Sequence, residues 1–476
     1  MDSTDATTPP AAEATTRPAA DATTPPAVDR AARPQRGDEL ELTIDSLAYG
    51  GAGVARTDGY VVFVSGAVPG DRVRAVIGKR KRAWAEARTV EILAPSPDRI
   101  APVADHPGAP WQILPYERQL EVKHAQVDDA LRRIGKLDGF ELEPIVPALA
   151  QWRYRNKLEY SYGTDADGKL VCGFHAPGSW EEIRPVTDCR LASEPANQAR
   201  EQIVAWCRAQ GLTAYDRRTN EGLLRNLVVR EGRRTGALQV RLVTSEGTLD
   251  RESLTEAGAG LDGLLWTRQS SVGETTQGGE TELLAGSERF AEVLGGLRLS
   301  ISSEAFFQTN TEMAEQLYEL ATDYAQPGGF ERVYDLYCGI GTIALSIAPR
   351  VAEVWGLELV PEAIADAIGN ARANEIENVR FFAGDVRLAL RELAEKAGRP
   401  DVLILDPPRA GLSQKVVRRI IETSPARIVY VSCNPTTLAP NAAQLVEAGY
   451  RLARVRPVDM FPQTPHIECV AELVRR

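Results

Sequence analysis

The chain has 476 residues and a mass of 51.9 kDa, which at ~100 to 200 residues per domain means several domains and excludes a single small module. Apolar residues make up 43% and charged residues 25%; no apolar run reaches the ~18 residues that a membrane span needs, which excludes an integral helical membrane protein. The formal net charge of -11 argues against a general polyanion binder, because nonspecific nucleic-acid affinity comes from neutralising phosphates. Six scattered cysteines (Cys172, Cys189, Cys207, Cys338, Cys433, Cys469) make no disulfide scaffold, and the polar amino terminus lacks the h-region of a signal peptide. A reducing cytoplasm is the expected setting.

Residues 1–36 contain the near-repeats DATTPPA at Asp5, EATTRPA at Glu13 and DATTPPA at Asp21. Such a segment has nothing to bury against its ordering entropy and is expected to be a disordered tail. Over residues 37–95 the pattern becomes period two: Leu40, Leu42 and Ile44 alternate with polar residues, Gly50, Gly51 and Gly53 punctuate, and strands are expected near 60–64, 73–77 and 85–92. Short strands with glycine turns suggest a small β-barrel of the oligonucleotide-binding (OB) type. Charge is concentrated there. Between Arg72 and Arg88 seven basic residues face one acid, Glu86, and the run Lys79-Arg80-Lys81-Arg82 falls where a strand-connecting loop is expected. That run reads either as a phosphate-contacting patch or as a solvated hairpin tip.

Residues 96–299 read as a mixed α+β central domain. Leu120, Val127, Leu131 and Ile134 mark one helix face stopped by Gly135, and Ser193 caps a helix carrying Ile203, Trp206 and Cys207. From residue 300 onward short apolar strands alternate with helices, the signature of an α/β doubly wound, Rossmann-like sheet. Strands are expected at 333–337, 354–358, 379–382, 402–405 and 428–432. Ligands of such folds bind at the carboxyl ends of the strands, and every end here carries an acid or a nucleophile: Asp335 with Gly339 and Gly341, Glu358, Asp385, Asp406-Pro407-Pro408-Arg409, and Cys433.

Glycines in the first loop let a ligand approach the backbone. Glu358 follows Gly339 by nineteen residues, the place of a carboxylate that accepts the hydroxyls of a ribose. Ala344 stands where a dinucleotide site has its third glycine, and Asp335 would repel a pyrophosphate. A ligand with a cationic amino-acid end, such as S-adenosylmethionine, fits better than a dinucleotide. Cys433 precedes a helix start at Pro435, which is expected to lower its pKa. Glu468 lies in an otherwise apolar terminal strand and reads as an edge residue or as a base.

These segments together resemble the RNA 5-methyluridine methyltransferase family. The resemblance rests on Phe306-Phe307-Gln308-Thr309-Asn310, on DLYCGIGT from Asp335, on DPPR from Asp406, on VSCNP from Val431 and on FPQTPHIECV from Phe461. It covers nearly the whole chain from Asp38, and the amino-terminal barrel looks like an RNA-binding TRAM domain. The resemblance implies a soluble monomer that methylates C5 of a uridine in structured RNA, with 23S ribosomal RNA favoured and transfer RNA possible. It assigns Cys433 as nucleophile toward C6 and Glu468 as the base that removes the C5 proton. Gln308, Tyr337, Glu358 and Asp406 match cofactor-binding positions of the family; Gly339 and Asp385 are added from their places at strand ends, Asp385 near the adenine. Lys79, Arg80, Lys81 and Arg82 are the expected RNA contacts.

One departure concerns a cluster. Several ribosomal members have a cysteine-rich stretch before a W-Q-x-L-x-Y segment, which here is 111–116, and residues 101–110 contain no cysteine. Cys189 alone cannot hold an iron-sulfur cluster, so no metal is expected and Cys189 is read as structural, in an apolar repacking with Trp111.

Overall fold

The computed structural model describes residues 33–476 apart from Asp58 and Val272. Most of the tail expected over 1–36 lies outside the described residues. Six strands open the chain: Glu39–Thr43, Ser46–Leu47, Gly53–Thr57, Tyr60–Ser65, Arg72–Arg80 and Trp84–Ala94. Their alternating residues, among them Val62, Val64, Val73, Ala75, Ile77 and Ala85, share one core with Leu42 and Ile44. The edge strands of this sheet are Glu39–Thr43 and Ser46–Leu47. Because only Ile44 and Asp45 join them, the two edges must come together, and the sheet rolls around its core. Lys79 and Arg80 end the fifth strand, with Lys81 and Arg82 exposed at the turn that follows.

A seven-stranded sheet forms most of the central region, with Lys157–Thr164, Leu224–Glu231 and Leu238–Thr244 near its middle. Helix Glu194–Ala209 packs on it through Ile203, Trp206 and Cys207, and the Ser193 side chain accepts from the Ala196 amide as its cap.

The helix over Tyr116–Asp129 departs from expectation in two ways. It runs into a π-turn, Ala130–Ile134. The wider turn rotates Ile134 off the face that Val127 and Leu131 share, leaving it 49% exposed. The segment also packs away from the central sheet: Val127, Leu131 and Leu137 share a core with Leu438 and Leu452, and Glu141–Leu142 pairs in parallel with Arg454 and Val455. A boundary at residue 96 therefore groups with the central domain a stretch that lies on the carboxyl-terminal one. Periodicity shows that a helix has an apolar face, not which sheet it meets.

The carboxyl-terminal sheet is labelled here in chain order: β1 Arg332–Leu336, β2 Glu353–Glu358, β3 Val379–Ala383, β4 Val402–Leu405, β5 Arg427–Ser432, β6 Tyr450–Val458 and β7 Glu468–Arg475. They lie side by side as β3-β2-β1-β4-β5-β7-β6. The first five are parallel, and β7 runs antiparallel between β5 and β6. Val333, Ile404, Val429 and Val431 face one apolar layer; Tyr334, Leu403, Leu405 and Tyr430 face the other, the double burial that near-continuous apolar strands foretell. The order reverses between β1 and β4, so their carboxyl ends open the crevice in which a ligand is expected.

Candidate active site

β1 ends at Leu336, and Tyr337 turns the chain with a left-handed φ of 66°. Gly341, at φ 85°, admits no side chain: a Cβ there would stand 2.8 Å from the Phe381 ring. The loop is thus a bare backbone cradle pressed against a ring from the strand that carries Phe381, two strands away in the sheet. Glu358 closes it from β2, its Oε2 accepting from the Gly339 amide at 3.2 Å and its Oε1 from the Leu359 and Val360 amides at 2.6 and 3.0 Å. Beneath the loop Asp335 is fully buried, with Oδ2 accepting from the Ala344 amide at 2.9 Å and Oδ1 buried without a partner. An orphaned buried carboxylate oxygen is costly unless a donor or cation completes it. Together with the cradle and Glu358 it fits S-adenosylmethionine, which carries an ammonium, a sulfonium and a ribose.

Gln308 is buried, and its carbonyl accepts from Asn156 Nδ2 at 2.9 Å, so it sits where the central sheet joins this domain. Asp385 is engaged otherwise: it caps helix Val386–Ala397 through the Arg387 amide and holds the Arg387 side chain. Those bonds occupy the oxygens expected near the adenine, and the geometry gives that role no support.

Cys433 and Glu468 meet because of strand register. β5 and β7 pair antiparallel down to Ser432 opposite Cys469. One step further come Cys433 and Glu468, close enough at the strand ends for the carboxyl to push the thiol pKa up though far apart in sequence. Asn434, whose side chain caps helix Pro435–Glu447, also donates from Nδ2 to the Arg409 carbonyl at 3.1 Å, joining the nucleophile turn to the DPPR loop. Arg409 in turn donates to His466 Nδ1 at 2.6 Å. Burial and the nearby Arg409, Arg155 and Lys123 push the His466 pKa down to about 4, which keeps the imidazole neutral and able to accept.

Three buried carboxyls, Asp335, Asp406 and Glu468, are held toward their protonated forms. Burial, with Asp406 second, pushes Asp335 up to about 8; burial lifts Asp406 to about 7; burial and then Asp406 raise Glu468 well above the carboxylate range. Cys433 is pushed up to about 11 by burial, then by Glu468 and Asp406, with Arg409 opposing. The lowered thiol pKa expected from the helix start is therefore not found. Burial and two acids outweigh one guanidinium.

Sequence reasoning left three contributors without a role. Arg155 places its guanidinium 5.7 Å from the centre of the Phe461 ring, with Nε buried and unpartnered. His466 lies within the FPQTPHIECV segment, but nothing in its spacing points to Arg409. Tyr49 comes from the amino-terminal barrel, and its hydroxyl donates to the Cys433 carbonyl at 3.0 Å. The loop that precedes Glu468 is anchored from below: Lys123 Nζ and the Tyr116 hydroxyl both reach Asp459, at 2.6 and 2.8 Å.

Cys189 is buried in the apolar core of the central sheet, as expected, and its Sγ also lies 3.2 Å from His106 Nε2. Burial, the largest cause, pushes the His106 pKa down to about 4. Trp111 packs instead with Leu47, Val68 and Leu114. Among the described residues no three His, Cys, Asp or Glu side chains converge as metal ligands.

Fold and site define an S-adenosylmethionine-dependent methyltransferase with an added six-stranded amino-terminal sheet. The sequence profile of tRNA (uracil-5-)-methyltransferases matches residues 296–476, and that of the TRAM domain matches residues 33–90. Relatives described as uncharacterised RNA methyltransferases include one from Halalkalibacterium halodurans, 36% identical over 92% of this chain and 97% of its own length. Another, from Gloeobacter violaceus, is 40% identical over 92% of this chain and 97% of its own. The crystal structure of Pyrococcus abyssi tRNA (uracil-54, C5)-methyltransferase in complex with S-adenosyl-L-homocysteine superposes with a TM-score of 0.76 at 28% identity, covering 91% of this chain and 99% of that one. The chain belongs to the RNA (uracil-5-)-methyltransferase family and uses S-adenosylmethionine.

Proposed function

We propose that this enzyme methylates C5 of a specific uridine in structured RNA through a covalent adduct between Cys433 and C6. The adjacency of Cys433 and Glu468, imposed by the β5–β7 register, carries the reading. C5 of uracil is a poor nucleophile. Thiolate addition at C6 moves the C5–C6 π electrons onto C5 and O4 as an enolate, and C5 then attacks the methyl carbon while the sulfonium–methyl bond breaks. Bound S-adenosylmethionine supplies that methyl group; Gln308, Tyr337, Gly339, Glu358 and Asp406 are the residues placed to hold it. Glu468 removes the C5 proton, the released pair re-forms C5=C6, and the thiolate leaves.

A raised Glu468 pKa suits this division of labour, since a carboxylate that holds protons tightly is a stronger base once ionised. The uridine must leave its stack to reach a crevice at the sheet's edge.

The barrel is read as an OB-like RNA-binding module with Lys79, Arg80, Lys81 and Arg82 as its phosphate contacts, and the protein as a cytoplasmic monomer. Six free cysteines among the described residues accord with a reducing compartment. Ribosomal RNA is favoured as substrate on the strength of the barrel. That argument is weakened by the archaeal enzyme, named for a transfer RNA, which aligns over nearly all of this chain.

Mapping 5-methyluridine by mass spectrometry in ribosomal and transfer RNA from cells lacking the gene decides the substrate. On that RNA, Cys433→Ala should lose methyl transfer, by about a thousandfold or more for a covalent nucleophile, while retaining cofactor affinity. Appreciable turnover by purified Cys433→Ala would remove the covalent mechanism.

A further inference from the structure

The barrel reaches the catalytic centre through one turn, residues 48–52. Gly51 donates to the Ala48 carbonyl at 2.9 Å and Ala48 to the Ala52 carbonyl at 2.8 Å, which makes the turn tight. Gly51 has φ 92°, and a Cβ on it would stand 2.9 Å from Pro465 and 3.0 Å from Trp111 Nε1. The turn is thus pressed onto the loop that precedes Glu468. Gln126 Nε2 holds the Leu47 carbonyl at 3.1 Å, and Leu47 packs with Val68, Trp111 and Leu114. The turn is anchored on three sides, and what it projects is Tyr49.

The Tyr49 ring packs against the carboxyl-terminal core, and its hydroxyl donates to the Cys433 carbonyl. The Arg409 guanidinium lies beside the same phenol. Among the described residues Arg409 is the cation that opposes the acids around the thiol, and its side chain also meets His466. We propose that Tyr49 is a positioning residue of the methyl-transfer site, fixing the Cys433 main chain and the Arg409 side chain against one another so that thiol and guanidinium face the same target base. The barrel is then part of the catalytic centre as well as an RNA tether. This inference rests on the functional reading above. A purely structural tyrosine would need only its ring; here the hydroxyl is aimed at the backbone of the nucleophile, across a domain boundary.

Tyr49→Phe keeps the ring and removes the hydroxyl. Relative to wild type, kcat for methylation should fall roughly tenfold or more, with the dissociation constant for S-adenosylmethionine and the melting temperature unchanged. A second readout follows the thiol itself: iodoacetamide alkylation of Cys433 against pH, read on its own peptide by mass spectrometry. The groups around this thiol are Glu468, Asp406, Arg409, Tyr49, Tyr430 and Cys469. Loosening Arg409 removes the only positive charge among them, so the alkylation midpoint should move to higher pH in Tyr49→Phe. Unchanged kcat and an unchanged profile would overturn the proposal. So would a fall in kcat that accompanies lost thermal stability while the profile stays put, because that outcome marks packing alone. If wild type makes no 5-methyluridine on any RNA, the functional reading fails, and the alkylation profile still decides whether Tyr49 positions Arg409 at the thiol.

Discussion

Burial raises the proton affinity of Glu468 and pushes the Cys433 thiol up to about 11, and these two shifts give the site its testable chemistry. Without the base, addition and methylation proceed but the product cannot be expelled, so Glu468→Gln should accumulate a covalent protein–RNA species. Denaturing electrophoresis reads it directly; only free RNA alongside a reactive Cys433 would assign the base elsewhere. Asp335 predicts a trade between stability and binding. Its pKa rises from 3.8 to about 8 on folding, so its stabilising protonation is complete below the unfolded value and is lost as pH climbs through the folded one. Asparagine carries no such proton and can still accept from Ala344. Asp335→Asn should therefore melt higher than wild type at pH 8.5, by roughly 2 °C or more, with a smaller gain at pH 5, and should bind S-adenosylmethionine more weakly. A gain that is the same at both pH values would show that the buried proton is not the cause. The acids were legible in the sequence as strand-end residues; their protonation was not, because it depends on how deeply the fold buries them.

The hairpin that ends in Lys79, Arg80, Lys81 and Arg82 is the element on which RNA delivery is argued. Lys79 lies 3.7 Å from Glu86 and stands 5.9 Å from the centre of the Trp84 ring, while Arg80 meets Gln35 at 3.1 Å. Such exposed contacts are weak and would yield to phosphates. Replacing all four with alanine should weaken RNA binding and flatten its salt dependence by roughly one unit of slope per lost phosphate contact, leaving cofactor affinity unchanged. An unaltered slope would return the run to a solvated tip. Element positions themselves were well marked by pattern: the parallel strands β1 to β5 fall within one residue of the ranges expected from apolar runs. The helix Tyr116–Asp129 shows where pattern stops. Its apolar face was visible, but its π-turn and its choice of sheet were not, since both are set by what it packs against.

At the scale of the whole molecule, the barrel, the helix Tyr116–Asp129 and the catalytic sheet converge on the loop that precedes Glu468. The buried Lys123–Asp459 pair, 2.6 Å apart, pins that loop from one side and the turn at Gly51 from another. In the central region Cys189 is buried with its Sγ 3.2 Å from His106 Nε2. Cys189→Ala should cost about 1 to 2 kcal/mol of stability, as for a small buried side chain, leave methylation working, and be matched by wild-type protein that contains no stoichiometric iron when purified without oxygen. Iron at one equivalent per chain, lost together with activity in the variant, would reverse that reading. Sequence alone determined the doubly wound sheet and the glycine cradle, because periodicity and glycine turns are local and survive in one dimension; Cys433 and Glu468 were put forward by the resemblance of their motifs. Only the tertiary structure decided that Tyr49, Arg155 and His466 belong to the same site, and that the thiol is pushed up rather than down. Those outcomes depend on strand register, interdomain packing and burial, which bring together groups that no spacing along the chain connects.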